Sequence, residues 1–482
     1  MKTSLHSPTL KALSLAMGLV LAGCSQVPTY EQPKTDLPQT LGQTHQAPGL
    51  VLAANEKDWW AQFANAELQD LLNQALTNNA DFAIAQQRLY QARSALTQGR
   101  AGLLPNVSVE AGVSNQETSS MAYPAGNGAQ FDNVNLSGLI SYEVDLWGRV
   151  RANRDRLSAE YKAMQADQIA LRLSLSSAVA QNYFNLRALD QMVEIASNTV
   201  VSRKETLQLR QRQYELGRLT QLAVQQAEVE LSRVEIQLIN LQQRRDAQRH
   251  ALSVLIGETP QQMLARSQAQ AADAMFEHYN LPILPAELNS ELLMRRPDIQ
   301  AAEQRLIAAN ANIGVARAAL FPKLSLNGML GFSSESFDNL FEPDAAQSRV
   351  QAGLSAPIFN AGALRAQVKI TEAEQQISLQ RYQQTLRQAF AETLDALSMQ
   401  QRSQQQLDAQ LRQVSALRQT LDLAQKRFDS GYSSYLEVLD AQRALFDAEV
   451  SMVTTKLNHL NANIQLYKAI GGHWTNDQAT AS

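Results

Sequence analysis

Two patterns of apolar and polar positions run along this chain, and each occurs twice. Val224, Ala227, Leu231, Val234, Leu238 and Leu241 step by three and four. So do Val438, Ala441, Leu445, Ala448 and Met452, and so do Leu171, Leu175 and Ala178, then Leu186, Leu189, Val193, Ala196 and Val200. This is the 3.5-residue period of helices that pack side by side. Breakers are missing where the pattern runs. No Gly or Pro interrupts the 68 residues between Gly148 and Gly217, or the 68 between Gly362 and Gly431. The 39 residues before Gly257 and the 39 before Gly471 are equally clean. These runs are rich in Ala, Leu, Gln, Glu and Arg, all good helix formers. At 1.5 Å per residue a 68-residue helix is about 100 Å long. His459 falls one step after Thr455 on the same series, which predicts a seam or core histidine rather than a ligand.

The second pattern has period two. Val107, Val109, Ala111 and Val113 alternate with polar or small residues. Val134, Leu136, Gly138, Ile140, Tyr142, Val144 and Leu146 do the same over seven positions. Leu324, Leu326, Gly328, Leu330 and Phe332 form a third series, and Val350, Ala352, Leu354, Ala356 and Ile358 a fourth. The expected strands are about 106–117, 131–146, 322–334 and 347–358, joined as two hairpins around polar loops. About ten residues each, apolar on one side, suits strands that cross a membrane. A soluble β cap with one wet face has the same pattern. Four strands do not close a membrane barrel, and an open edge in lipid leaves N–H and C=O groups unsatisfied. Membrane strands here therefore require several chains to share one barrel, and three chains give twelve strands.

The patterns repeat because the chain does. A shift of 214 places Tyr214 on Phe428, Gly217 on Gly431, Thr220 on Ser434, Leu222 on Leu436 and Ile256-Gly257 on Ile470-Gly471, without a gap. Upstream, a shift of 217 places Gln87-Arg88-Leu89 on Gln304-Arg305-Leu306 and Pro105 on Pro322. The expected division is a first repeat at 61–257 and a second at 286–471, with an inter-repeat segment at 258–285 and a tail at 472–482.

The start of the chain adds an address. Lys2 and Lys11 flank and precede a short apolar run, "ALSLAMGLVLAG", that ends at Cys24. About 12 apolar residues are too few for a spanning helix and read as a secretory signal, here 1–23. Leu21-Ala22-Gly23-Cys24 resembles the bacterial lipoprotein box, which makes Cys24 the mature first residue and the site of a covalent lipid, on an anchored segment 24–60. A buried cysteine behind a plain signal is the alternative. Ser25, where Asp favours inner-membrane retention, resembles outer-membrane sorting. With one cysteine, no intramolecular disulfide forms. Losing Lys2 and Lys11 takes the formal charge from −4 to about −6, which argues against nucleic acid. None of the six histidines sits at metal-ligand spacing, and no nucleophile elbow, P-loop or dinucleotide fingerprint occurs. Neither a catalytic residue, a metal site nor a cofactor is expected, beyond the lipid on Cys24.

With these residues in place, the chain resembles the TolC family of outer-membrane efflux factors, in its NodT-type lipoprotein branch. The resemblance is carried by the box at Cys24, "YEVDLWGR" from Tyr142, "RRPDIQAAEQRLIAANANIGVARAALFPKLSL" from Arg295, "APIFNAG" from Ala356 and "SSYLEVLDAQRALF" from Ser433. It implies an α+β membrane protein: a homotrimer with a shared twelve-stranded β-barrel, a long coiled-coil α-barrel and a mixed equatorial domain. It also implies a passive exit duct of a tripartite pump. The partners would be a periplasmic adaptor, an inner-membrane transporter of the resistance-nodulation-division class, and outer-membrane lipid. In family terms Leu436, Asp440 and Arg443 match a periplasmic gate, with Glu437 on the same face as Asp440. Leu436 would form an apolar ring and Asp440 an acidic one that biases the pore towards cations. Arg443 would tie the ring to a neighbouring helix. Gly217, Thr220, Gly431 and Ser434 fall where adaptors cap the tips.

Structural readings stand beside these. Ser434 and Glu437 fit a capping box, Arg443 fits a surface position, and the glycines fit helix turns alone. Ser433 and Phe428 depart from TolC itself, which carries an arginine and a tyrosine there. A protein-secretion duct of the same fold and a coiled-coil spacer lipoprotein are the rival functions.

Overall fold

The computed structural model describes residues 25–33, 38, 40–43, 63, 65–117, 119, 121, 130–268 and 287–472. Cys24, the signal and the tail beyond 472 lie outside the described residues. In chain order the elements are β1 (Thr40–Gln43), α1 (Ala66–Asn78), α2 (Ala80–Ala101), β2 (Asn106–Glu117), β3 (Gln130–Val144), α3 (Arg149–Glu215), α4 (Gln221–Leu255), α5 (Pro260–Gln268), β4 (Glu287–Asn289), α6 (Glu291–Met294), α7 (Pro297–Ala318), β5 (Lys323–Ser334), β6 (Ala346–Ser355), α8 (Ala363–Asp429) and α9 (Tyr435–Ala469). The duplication is visible in these bounds. Helices α3 and α8 are each 67 residues and begin 214 apart. Helices α4 and α9 are each 35 residues, also 214 apart, and α2 and α7 are each 22 residues, 217 apart. Strand β6 ends at Ser355, earlier than the pattern to Ile358 predicts, because Pro357 has no N–H for a ladder.

The chain divides into two compact units, and each takes parts from both repeats. The first holds Met1–Lys34, Arg88–Gln165 and Ala301–Gln384. Its sheet is antiparallel in the order β2-β3-β5-β6, so β2 and β6 each pair on one side only. The register puts like with like. Val107 faces Ile140, and Ile140 faces Gly328, which faces Val350. Ala111 faces Leu136, which faces Phe332, and Tyr142 faces Leu326. Every one of these residues lies on the same face, because strand side chains alternate. The opposite face carries Ser108, Glu110, Asn135, Ser141, Asn327, Arg349 and Gln351. On the apolar face Val109, Leu330, Val350 and Leu354 are exposed, with Val350 at 93%.

The passage from strand to helix explains the "YEVDLWGR" motif. Glu143 accepts two hydrogen bonds from Arg149, at 2.8 and 2.9 Å, and pairs with Lys323. Asp145 accepts from the backbone N–H of Val150 and of Arg151, both at 2.9 Å, and so caps the first turn of α3. The Trp147 indole N–H donates to the Pro322 carbonyl at 2.7 Å while its ring stacks on Phe321. Gly148 supplies the positive φ of +72°. Residues 25–33 lie along α7 in the same unit. The Asn310 amide donates to the Pro28 carbonyl at 2.8 Å, and Tyr30 donates to Glu303 at 3.3 Å. Val27 sits where a side chain at Gly314 would be.

The second unit holds Thr35–Gln87, Ala166–Gln300 and Thr385–Ser482. Its core follows the 3.5-residue series. Ala227, Leu231, Val234 and Leu241 of α4, and Val438, Ala441 and Ala448 of α9, are buried. His459 is buried on that seam, its Nδ1 3.0 Å from the Ser403 hydroxyl. Strand β1 pairs with β4 in a small antiparallel ribbon. Arg296, from the "RRPD" motif, is buried and donates to the Ala469 carbonyl at 2.8 Å and to Asp298 and Glu392, both at 2.7 Å. The end of α9, a carboxylate of α8 and the start of α7 thus converge on one guanidinium.

Candidate functional site

The residues expected at a gate and at docking tips gather at the two helix–helix turns of the second unit. Each turn closes in the same way. The Gly217 N–H donates to the Tyr214 carbonyl and the Arg218 N–H to the Gln213 carbonyl, both at 2.8 Å. The Gly431 N–H donates to Phe428 and the Tyr432 N–H to Arg427, both at 2.9 Å. This paired closure needs a left-handed residue at the glycine position. Gly217 has φ +68° and Gly431 φ +77°, and no heavy atom lies within 4 Å of a Cβ at either. Conformation alone therefore requires glycine here. Thr220 and Ser434 follow as exposed, extended residues that start α4 and α9. Neither hydroxyl caps its helix, so the Ser434–Glu437 capping box of the sequence does not form: the Glu437 N–H bonds the Ser434 backbone carbonyl instead.

On the first turns of α9 the buried and exposed positions separate cleanly. Tyr435, Val438, Leu439 and Ala441 pack with Ala424 of α8, joined by Leu421 and Phe428. Leu436, Glu437 and Asp440 point away from this cluster and are exposed. Arg443, one turn further, donates to the Asp440 carboxylate at 3.3 Å. Its closer partner is Glu230 of α4. The Arg443 Nε–Glu230 Oε1 distance is 2.7 Å, and a second guanidinium nitrogen binds the same oxygen. This hydrogen bonding raises the Arg443 pKa, against the effect of burial. Arg443 thus ties α9 to α4 of its own chain.

The pairing continues beyond Arg443. Arg233 of α4 lies 4.0 Å from Glu230 and donates to Asp447 of α9 at 2.9 Å. Five charges therefore alternate in sign, Asp440, Arg443, Glu230, Arg233 and Asp447, lacing the two helices together. Glu230 is their buried centre. A further clasp joins the turns. The Arg210 guanidinium of α3 sits 4.8 Å from the Phe428 ring and 4.3 Å from the Tyr435 ring. Such contacts contribute about 0.5–2 kcal/mol each. Arg203, one helical stretch away, is buried, and burial lowers its pKa, with Tyr435 and Glu230 acting the other way.

Glu230, Arg233, Asp447 and Arg210 were not among the residues expected at this site. The signal for one pair was present: the 214-residue shift lays Arg233 on Asp447, opposite charges at equivalent positions of the two copies. Among the described residues no group of three or more His, Cys, Asp or Glu side chains is arranged to hold a metal ion. No described helix is long and apolar enough to cross a membrane.

Comparisons with known proteins agree with this architecture. The solvent efflux pump outer membrane protein SrpC of Pseudomonas putida is 33% identical over 97% of this chain and 99% of its own length. The pyoverdine export outer membrane protein OpmQ of Pseudomonas putida is 34% identical over 97% of this chain and 98% of its own. Among solved structures, the Campylobacter jejuni CmeC outer membrane channel superposes with a TM-score of 0.85 at 26% identity, covering 94% of this chain and 96% of that one. The family model for outer membrane efflux proteins matches residues 71–258 and 288–472, one segment for each copy of the duplication. By its matched segments, its relatives and its fold, the chain belongs to the outer membrane efflux protein family.

Proposed function

We propose that this outer-membrane channel is the passive exit duct of a tripartite efflux system that expels small toxic compounds. Three copies share a twelve-stranded barrel above a tube of helices, and the channel performs no catalysis of its own. The observation that carries the reading is the four-stranded sheet with one largely apolar face, exposed at Val109, Leu330, Val350 and Leu354, and two unpaired edges. A membrane sheet with free edges leaves backbone donors and acceptors unsatisfied, and pairing β2 of one copy with β6 of the next removes both edges. Lipid on Cys24 tethers each chain beside the barrel. A periplasmic adaptor caps the turns at Gly217–Thr220 and Gly431–Ser434, and an inner-membrane transporter of the resistance-nodulation-division class supplies the energy.

In this reading Leu436 and Asp440 line the closed periplasmic entrance, Glu437 adds charge on the same face, and the lacing from Arg443 to Glu230 holds α9 in the closed position. SrpC and OpmQ are named for a solvent pump and for pyoverdine export, at nearly equal identity to this chain. Cargo is therefore assigned to the transporter and not to the duct. The test is electrical. Purified protein in planar bilayers should show small, cation-biased conductance, and Asp440→Ala should raise it several-fold. A sealed, unchanged pore in Asp440→Ala overturns the gate. A detergent-solubilised mass of one chain overturns the shared barrel.

A further inference from the structure

The loop between β5 and β6 has an order of its own. Residues 335–345, "ESFDNLFEPDA", fold back through a Leu340 N–H to Phe337 carbonyl bond and a single 3-10 turn at Pro343–Ala345. Leu340 and Ala345 are buried, whereas Phe337 and Phe341 are 68% and 67% exposed. Two bare phenylalanines on a folded loop are costly in water, at about 25 cal/mol per Å² of apolar surface.

The direction of Phe341 is fixed by its neighbour. Its ring meets Phe332 edge-on, with centroids 5.6 Å apart. Phe332 lies on the apolar face of the sheet, opposite Leu136 and Ala346. The loop therefore reaches over that face, and not over the face that carries Arg349 and Glu110. Its charges are all of one kind. Glu335, Asp338, Glu342 and Asp344 are exposed, and no Lys or Arg stands among them. An aromatic ring on the apolar side at Phe341, a second exposed ring at Phe337 and four exposed carboxylates make an amphipathic segment, the character of residues at a membrane–water boundary.

Depth gives the loop a task. From Leu324 to Phe332 the apolar face of β5 covers eight residue steps, about 27 Å along the strand. Tilted by about 40°, as barrel strands are, this spans about 20 Å of the ~25 Å lipid-facing band. β3, apolar from Val134 to Val144, covers about 26 Å by the same reckoning, so β5 is the short side and the loop extends an aromatic edge there. We infer that loop 335–345 is an interfacial anchor that lays Phe341 and Phe337 into the lipid headgroup–acyl boundary and so sets the depth of the sheet in the bilayer. The inference rests on the sheet being membrane-spanning.

The test separates the two. Single nitroxide-labelled cysteines are placed in the full-length chain as Phe341→Cys, Val350→Cys and Arg349→Cys and reconstituted in phosphatidylcholine vesicles. The unsubstituted chain, labelled in parallel, gives the contribution of Cys24. Power saturation then compares oxygen, which concentrates in hydrocarbon, with a water-soluble nickel chelate. The oxygen-to-nickel accessibility ratio at 341 and at 350 is expected to be several-fold above that at 349. A ratio at 341 equal to that at 349, with 350 still high, overturns the anchor and leaves the membrane sheet standing. A ratio at 350 as low as at 349 overturns the membrane sheet and the anchor with it. Inaccessibility of 341 to both reagents places the loop against another copy of the chain and also overturns the anchor. Phe341→Trp, which keeps an aromatic ring, gives a second reading: brominated phosphatidylcholine should quench its added emission, and iodide should not.

Discussion

Glu230 shows how one carboxylate changes the meaning of the residues around it. It is buried on the α4 seam and holds Arg443 by two guanidinium nitrogens, with Arg233 on its other side. Hydrogen bonds to charged groups contribute about 1.5–3 kcal/mol, and a buried charge stripped of its partner costs more than the bond itself. Arg443→Leu should therefore destabilise more than Glu230→Gln, which removes the charge together with the need for a partner. Both variants should raise bilayer conductance if this lacing holds the tips closed. Chemical denaturation of the solubilised protein measures the first expectation and single-channel recording the second. Glu230 was illegible in the sequence because the 3.5-residue pattern is read from apolar residues, and an acid beside Leu231 looks like an exposed flank. His459 is the opposite case: its place in the series was legible, and burial follows. Burial holds its pKa below the ordinary value near 6.5, partly offset by the charge of Asp408. The folded chain thus binds that proton less readily than the unfolded chain. The stabilisation is complete above about pH 6.5 and is lost as pH falls towards the folded-state value. Thermal denaturation between pH 7.5 and 5 should fall more steeply for the parent than for His459→Gln.

Elements were the most legible level. Period two located four strands to within a few residues, and the absence of Gly and Pro located four long helices almost to the residue. The turns were legible as glycines, but their closure was not, because it depends on backbone hydrogen bonds that leave no residue-type signature beyond the glycine itself. Gly431→Ala should cost about 1 kcal/mol, since its φ of +77° strains an alanine although no neighbour obstructs the methyl group. Gly431→Asn should cost less. Faster hydrogen exchange at the Tyr432 N–H, the outer bond of that turn, would report the loss. The path of residues 25–33 was not legible at all, because an extended segment without periodicity carries no mark of the surface it meets. Gly314→Leu would place a side chain where Val27 sits. Limited proteolysis should then cut within 25–33 at least tenfold faster, and unchanged cleavage would mean that the segment is held from elsewhere.

At the scale of the whole molecule, the duplication and the compact units divide the chain differently. The repeats run along the sequence, whereas each unit draws on both copies. Neither copy can therefore fold as a domain by itself, and expression of 61–257 alone should give no cooperative thermal transition by circular dichroism. The helices add a constraint on how such a chain can change over time. On α3, Tyr183 bonds Glu67 of α1 at 2.9 Å, and 27 positions later Arg210 clasps Phe428 and Tyr435. Deleting one residue between them turns the far contact about 100° around the helix, while deleting seven turns it by only about 20°. Gains and losses of length in α3 are thus acceptable only in steps close to whole turns, such as about seven or eleven residues, and only when α4, α8 and α9 change with it. Point substitutions are open to this lineage along the helices, but single insertions and deletions are confined to its loops.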